Sequence, residues 1–269
     1  MDAVALGPLV FPIDRFAVIA GAAAFLTAVW WAGRRGADAR LQLWSGQVLL
    51  WGFIAARLGH VGRHWDSFAA EPWRAAFFWQ GGFWAPAGVA AAGAITAFAL
   101  WRVPGMTRAA LVTAALGLVV WQGVWGLRTP LPEVGPPVQA LATLDGGEID
   151  LSLREGRPMV INLWATWCAP CRREMPMMAE VAAGHPGVDF VFANQREGAG
   201  PVRRFLADEA LDLPIVVLDT GGALARHYSV LGLPATLFVD AGGRVQARHI
   251  GEISREAFEA GIAGLAPPR

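Results

Sequence analysis

The sequence predicts a multi-domain chain: an N-terminal α-helical membrane domain followed by a C-terminal α/β domain. Three observations carry this. Mean hydropathy is +0.40 and only 16% of the 269 residues are charged, where a soluble domain carries about 25%. The charge is divided. Residues 1–128 hold ten Arg against five acids, residues 129–269 hold twelve Arg against seventeen acids, and Lys is absent. Eleven of the 13 Trp fall before residue 129. A chain of this length suits about two domains. Its formal net charge of 0 argues against a nucleic-acid partner. Its two Cys, three apart, exclude a disulfide framework.

The first domain, 1–129, contains four uncharged stretches: Phe16–Gly33, Leu41–Ala56, Ala75–Trp101 and Ala109–Leu127. A spanning helix needs about 20 apolar residues, so about four transmembrane helices are expected. The second stretch reaches that length only with Arg57 and Leu58 at its end. The third contains Gly81-Gly82 and Pro86, so Ala75–Gly81 is expected along the interface ahead of the span. Trp30, Trp31, Trp44, Trp73, Trp101 and Trp125 sit near segment ends, where amphipathic rings prefer the headgroup level. No basic segment precedes the first stretch, which argues against a cleaved signal peptide despite Ala37-Asp38-Ala39.

Four spans place both termini on one side. The Arg count is five on each face, so charge alone leaves the side open. Arg57 is read as a snorkelling group at the end of the second span, with a functional intramembrane charge as the rival. His60 and His64 share a helix face, but no third metal ligand accompanies them.

Ala56-Arg57-Leu58-Gly59-His60-Val61 and Trp79-Gln80-Gly81-Gly82-Phe83, with Gly7-Pro8 and Ile13-Asp14-Arg15 before them, resemble the early part of prolipoprotein diacylglyceryl transferase. The family's functional His would fall near Pro86 and is gone. Its Gly-Arg-Leu-Gly-Asn signature would fall near Ala114–Leu118, where no Arg or Asn stands. The resemblance therefore implies a degenerate, truncated relative kept as an anchor or docking surface.

Residues 130–137 form a linker, with Pro130, Pro132, Pro136 and Pro137 favouring extended chain. The second domain, 138–269, alternates strand and helix signals. Val138–Thr143 and Glu148–Leu151 flank the turn Asp145-Gly146-Gly147. Met159–Ala165 is a buried strand and Ala169–Ala183 a helix. Val188–Ala193 is a strand, Pro201–Ala210 a helix, Ile215–Leu218 a strand and Gly222–Tyr228 a short helix. Ala235–Asp240 and Val245–Ile250 form a hairpin, and Ser254 caps a last helix to Gly261. This order implies a mixed sheet covered on both faces.

The chemistry is carried by Trp167-Cys168-Ala169-Pro170-Cys171. A strand delivers Cys168 to a helix N-terminus, which stabilises a thiolate, the nucleophilic form. Cys171, one turn on, can attack a mixed disulfide formed by Cys168. Pro170 fits the first helical turn. Half a zinc site is the rival, but zinc needs about four ligands and no second Cys pair exists.

Val160-Ile161-Asn162-Leu163-Trp164-Ala165-Thr166-Trp167-Cys168, running on through Ala169-Pro170-Cys171-Arg172-Arg173-Glu174-Met175-Pro176, resembles the TlpA/ResA/DsbE group of membrane-tethered thiol–disulfide proteins. Leu218-Asp219 and Gly232–Asp240 follow at the group's usual distances. The resemblance implies a thioredoxin-like fold and a thiol:disulfide oxidoreductase, most readily a reductase, with an oxidase or isomerase as the alternative and a lipid enzyme with an accessory redox domain behind it. It implies catalytic roles for Cys168, Cys171 and Glu174, whose carboxylate would shuttle protons or raise a thiol pKa; a solvated Glu174 paired with a neighbouring Arg is the rival. It implies a cis Pro234 facing the pair. Trp167, Pro170, Leu233 and Pro234 form the expected substrate-binding surface, with Trp164 and Trp167 as packing and shielding groups. No metal and no cofactor beyond the cysteine pair is expected. The expected location is the bacterial inner membrane, multi-pass, with the redox domain in the periplasm. Expected partners are protein thiols and disulfides, apocytochrome c among them, the lipid bilayer, and a DsbD/CcdA-type electron donor.

Overall fold

A computed structural model describes residues 3–6, 9–128, 135–153 and 156–265. The chain divides into two compact units, Met1–Thr129 and Pro130–Arg269. Gly7-Pro8, and Pro130 and Pro132 of the expected linker, lie outside the described residues.

The first unit opens with an antiparallel hairpin, β1 (Ala3–Leu6) and β2 (Leu9–Pro12), which sequence analysis did not foresee. Five α-helices follow: α1 (Ile13–Arg34), α2 (Arg40–Arg63), the short α3 (Trp65–Ala69), α4 (Ala85–Arg102) and α5 (Thr107–Trp125). The long third apolar stretch is broken as its residues dictate. Two 3-10 turns, Pro72–Ala76 and Phe78–Gln80, come first. Gly81 and Gly82 then adopt φ of 87° and 77°, a region that favours glycine. Pro86 enters the first turn of α4, where no N–H is needed.

Small residues let the helices approach closely. α1 packs on α5, and a Cβ on Gly21 would lie 2.8 Å from the Trp121 Cβ. α2 packs on α4, and a Cβ on Gly88 would lie 2.9 Å from the Gly52 carbonyl oxygen. Guanidinium groups cover indole rings at the helix ends, Arg34 on Trp30 at 4.1 Å and Arg128 on Trp125 at 3.7 Å.

Among the described residues, two helical stretches are long and apolar enough to cross a membrane, Ile13–Arg34 and Pro104–Trp125. The expectation of four such helices is therefore met by two. α4 is only 18 residues long and ends on Arg102, and α2 carries Gln42, Gln47, Arg57 and His60 within its length.

Arg57 also departs from expectation. It does not snorkel. It is 8% exposed, and its guanidinium donates to the carbonyls of Ala75 (2.8 Å), Gly81 (2.7 Å), Gly82 (2.9 Å) and Arg74 (2.9 Å). A planar fork of donors suits a loop whose carbonyls converge. His60 and His64 stack with ring centroids 4.6 Å apart, and no group of three metal-ligating side chains occurs among the described residues.

The second unit begins with a small hairpin, β3 (Ala140–Ala142) and β4 (Glu148–Asp150). It then builds a five-stranded sheet from β5 (Met159–Trp164), β6 (Asp189–Gln195), β7 (Ile215–Asp219), β8 (Ala235–Val239) and β9 (Val245–Ile250), in the order β7-β6-β5-β8-β9. β5, β6 and β7 run parallel; β8 is antiparallel to β5 and to β9. Helices α6 (Ala169–Ala183), α7 (Ala199–Asp208), α8 (Ala223–His227) and α9 (Arg255–Ala263) complete the unit.

Every residue of β5, β6 and β8 is buried, which explains why these strands read as continuous apolar runs rather than alternating ones. The β3–β4 hairpin covers the β7 edge, with the Leu144 N–H donating to the Val216 carbonyl. β6 extends beyond its apolar run because Asn194 and Gln195 still pair with Leu218 and Asp219. Side chains satisfy free N–H groups at the starts of α8 and α9. Asp219 accepts from the Ala223 and Leu224 N–H groups at 2.7 and 2.8 Å, and the Ser254 hydroxyl accepts from the Ala257 N–H at 3.3 Å. The core gathers Trp164, Phe190, Phe192, Phe205, Phe238 and Phe258.

Candidate active site

β5 ends at Trp164, and a turn then carries the chain into α6. In that turn the Cys168 N–H donates to the Ala165 carbonyl at 3.2 Å. Cys168 is the N-cap of α6: its backbone is extended and its sulfur accepts from the Cys171 N–H at 3.3 Å. The sulfur thus occupies the place where a helix offers unpaired N–H groups and positive potential. Cys168 and Cys171 form a disulfide. They are not equivalent, for Cys168 is 5% exposed and Cys171 fully buried.

Trp164 and Trp167 divide. Trp164 is fully buried and packs on Phe205, with centroids 5.4 Å apart, as a packing group should. Trp167 is 68% exposed beside Cys168, so of the two expected roles it is placed for shielding and not for packing. Pro170 lies in the first turn of α6. The Leu233–Pro234 peptide is cis. The register Leu163↔Ala235 places this peptide at the end of β5 that leads to Cys168.

Glu174 is one turn further along α6 than Cys171. It is not a solvated partner of Arg173, which pairs instead with Glu252 at 2.5 Å. Glu174 is buried and accepts from the Asn162 side-chain amide at 3.0 Å and the Ile253 N–H at 2.9 Å. Burial pushes its carboxyl up to about 8, against the lowering effect of those two hydrogen bonds. Asn162 also donates to the Thr236 hydroxyl at 3.2 Å, so the amide ties β5 to α6 and β8.

Sequence analysis missed Asn162 and Thr236 as polar groups around Glu174. It also missed Glu197, Asn194 and Thr166. The Glu197 carboxylate accepts from the Thr166 N–H at 2.7 Å, the Thr166 hydroxyl at 2.5 Å and the Asn194 amide at 2.8 Å. A signal for Asn162 existed, since it is a polar residue inside an apolar run, whereas Asn194 stands just past the end of one. Glu197 is marked only by topology: parallel neighbours β5 and β6 end on the same side, and chemistry gathers beyond those ends.

A family model described as Redoxin matches residues 129–263. The chain belongs to the Redoxin family. Thiol-disulfide oxidoreductase ResA of Geobacillus thermodenitrificans (strain NG80-2) is 31% identical over 161 residues, covering 58% of this chain and 91% of that protein. ResA of Bacillus cereus (strain ATCC 10987 / NRS 248) is 29% identical over 161 residues, covering 58% and 92%. Among solved structures, dsbF of MTB is 28% identical at a TM-score of 0.47, covering 51% of this chain and all of that one. A thiol:disulfide interchange protein of Chlorobium tepidum TLS is 25% identical at a TM-score of 0.45, with 51% of this chain covered. This Redoxin-family chain is a thiol:disulfide oxidoreductase of the ResA/DsbE type, and the cysteine pair at the head of α6 is its one thiol couple.

Proposed function

We propose that the protein is a membrane-anchored reductase of protein disulfides, with Cys168 as the attacking thiol and Cys171 as the resolving one. The observation that carries this reading is the asymmetry of the pair. Cys168 heads α6 beside an exposed Trp167, whereas Cys171 is sealed beneath it. In the reduced protein the Cys168 thiolate attacks one sulfur of a substrate disulfide. The other substrate sulfur leaves as a thiolate and takes up a proton. Cys171 then gives its proton to Glu174 in its carboxylate form and attacks the Cys168 sulfur. The second substrate sulfur leaves as a thiolate and takes that proton back from Glu174, and the Cys168–Cys171 disulfide remains. Two electrons pass from the dithiol to the substrate. A carboxyl that titrates at about 8 exchanges its proton near neutral pH, which suits Glu174 to this step. Trp167, Pro170 and Pro234 line the approach, and a substrate strand pairs with the Leu233 backbone ahead of β8. The pair needs no other cofactor.

The first unit acts as anchor. Val18, Ile19, Leu26, Leu43, Leu50, Phe53, Val89, Phe98, Leu116 and Val119, drawn from all four long helices, are exposed. An apolar surface of that breadth suits lipid rather than water, which supports four helices in the bilayer. The contact of Arg57 with Gly81 and Gly82 joins the two stretches that resemble prolipoprotein diacylglyceryl transferase, which supports a degenerate relative of that family. Both cysteines lie in the second unit, so the anchor carries no thiols. Electrons then come from a separate membrane donor of the DsbD/CcdA type, with the redox unit on the periplasmic side of a bacterial inner membrane. Apocytochrome c is the proposed substrate class.

Thiol trapping in intact cells tests this. A membrane-impermeant alkylating reagent should label Cys168 without added reductant, with Cys171 shielded until the protein is denatured. Labelling only after chemical reduction would replace the reductase by an oxidase, and labelling only after lysis would reverse the topology.

A further inference from the structure

The turn that presents Cys168 is held from outside its own segment. Thr166 and Trp167 form the corner between β5 and α6, closed by the Cys168 N–H on the Ala165 carbonyl. The polar groups of Thr166 that project from this corner both end on Glu197. One carboxylate oxygen takes the backbone N–H at 2.7 Å, and the other takes the hydroxyl at 2.5 Å. Such charge-assisted, two-point contacts are the strong and directional ones.

Glu197 is itself aimed by two features. The Asn194 amide, fully buried, donates to it at 2.8 Å. Arg196, immediately before it, has φ of 61° and donates its N–H to the Asp219 carbonyl at 3.0 Å. A non-glycine residue in the left-handed region persists only where its surroundings hold it there. Here it turns the chain off β6 so that the next side chain faces the Cys168 turn. A buried amide and a left-handed corner thus aim Glu197, and its two-point carboxylate contact falls on Thr166, two positions before the reacting sulfur.

We propose that Glu197 is a positioning residue for the thiol–disulfide reaction: through Thr166 it fixes the turn that seats the Cys168 sulfur at the head of α6 and displays Trp167 beside it. This rests on Cys168 being the attacking thiol. A loosened turn leaves both cysteines in place but lets the sulfur drift from the helix N–H groups that favour its thiolate.

The test uses the full chain in detergent, reduced chemically, with variants Glu197→Ala, Glu197→Gln and Thr166→Val. Three readouts are compared: the pH dependence of Cys168 alkylation, the second-order rate with a small aromatic disulfide, and the thermal midpoint. Gln keeps the geometry: its carbonyl oxygen can accept from the Thr166 N–H and the Asn194 amide while its own amide donates to the Thr166 hydroxyl. Glu197→Ala should slow the disulfide reaction about tenfold and move the alkylation midpoint by half a pH unit or more. Glu197→Gln should stay within about threefold of the parent, and Thr166→Val should fall between them. An unchanged rate and midpoint in Glu197→Ala, whatever its thermal midpoint, overturns the proposal, as does a Gln variant as impaired as the Ala variant. Should Glu197→Ala fail to fold, a Thr166→Val protein with parental rate and midpoint overturns it equally. Loss of Cys168 adducts in an otherwise native Cys171→Ser protein would instead remove the reading of Cys168 on which it rests.

Discussion

The backbone N–H of Cys171 points at the Cys168 sulfur from 3.3 Å, while the Cys171 side chain is fully buried. One residue therefore supports its partner's thiolate with its backbone and withholds its own sulfur from solvent. That division assigns the order of events, since only the outer sulfur can meet a protein-sized substrate, and the inner one can reach only its neighbour.

Cys171→Ser should accumulate mixed disulfides through Cys168, because no resolving sulfur remains. Cys168→Ser should accumulate none. Non-reducing electrophoresis of cells expressing each variant reads the difference; adducts from Cys168→Ser alone would reverse the assignment, and equal adducts from both would remove it.

Glu174 makes stability depend on pH. Its carboxyl titrates at about 8 in the folded chain, against an ordinary 4.5. Between those values the folded chain keeps a proton that the unfolded chain releases, so stability falls as pH rises from about 5 through 8. The loss is on the order of 3 kcal/mol. Glu174→Gln should abolish that slope. Thermal midpoints of the oxidised parent and variant should diverge in the variant's favour between pH 5 and pH 8.5; parallel curves would contradict the burial argument. The same variant should slow release of substrate from Cys171-dependent mixed disulfides.

Arg57 closes the loop ahead of α4 by donating to four carbonyls. Arg57→Leu would leave those carbonyls without their donor, at about 1–3 kcal/mol for each one that stays buried. Arg57→Lys should not restore stability, because a point ammonium cannot reproduce a planar fork. Thermal unfolding in detergent should show both variants well below the parent. A Lys variant equal to the parent would reduce Arg57 to a simple charge.

Two glycines of the redox unit should respond in opposite directions. A Cβ on Gly261 would collide with the buried Phe238 ring, whereas a Cβ on Gly200 would meet nothing within 4 Å. Gly261→Ala should destabilise by about 1–3 kcal/mol through overpacking. Gly200→Ala, within α7, should stabilise by about 0.5–1 kcal/mol through helix propensity. Denaturant unfolding of the full chain checks both.

The legible part of the site is the part written locally. Cys168, Pro170 and Cys171 fall within one helical turn, so their spacing and the strand before them already express the chemistry. The ends of α6 and of β9 fall where the residue pattern put them. Glu174 was legible as a residue but not in its state, because its pKa depends on burial beneath Ile253, 79 positions away. The groups that hold the site in shape, Glu197 on Thr166 and Asn162 on Glu174, bridge 31 and 12 positions. No periodicity reports such contacts.

In the first unit, hydropathy located the four long helices, but only the tertiary structure shows where each starts and stops: among the described residues two stretches, Ile13–Arg34 and Pro104–Trp125, are long and apolar enough to span by themselves. Arg57 shows the same limit. From sequence it is a charge at the end of an apolar run, whose natural place is the interface. The fold turns it inward because Gly81 and Gly82 bend the following loop so that its carbonyls meet the guanidinium.

The sequence by itself determined the two-part plan, the redox couple and the strand–helix order that carries it, since composition, hydropathy and a three-residue cysteine spacing are local quantities. Only the tertiary structure decided which sulfur is outward, that Glu174 is buried, and that Glu197 grips the active-site turn. Each of these depends on which distant segment packs against the site, and burial and hydrogen bonding are set by that neighbour.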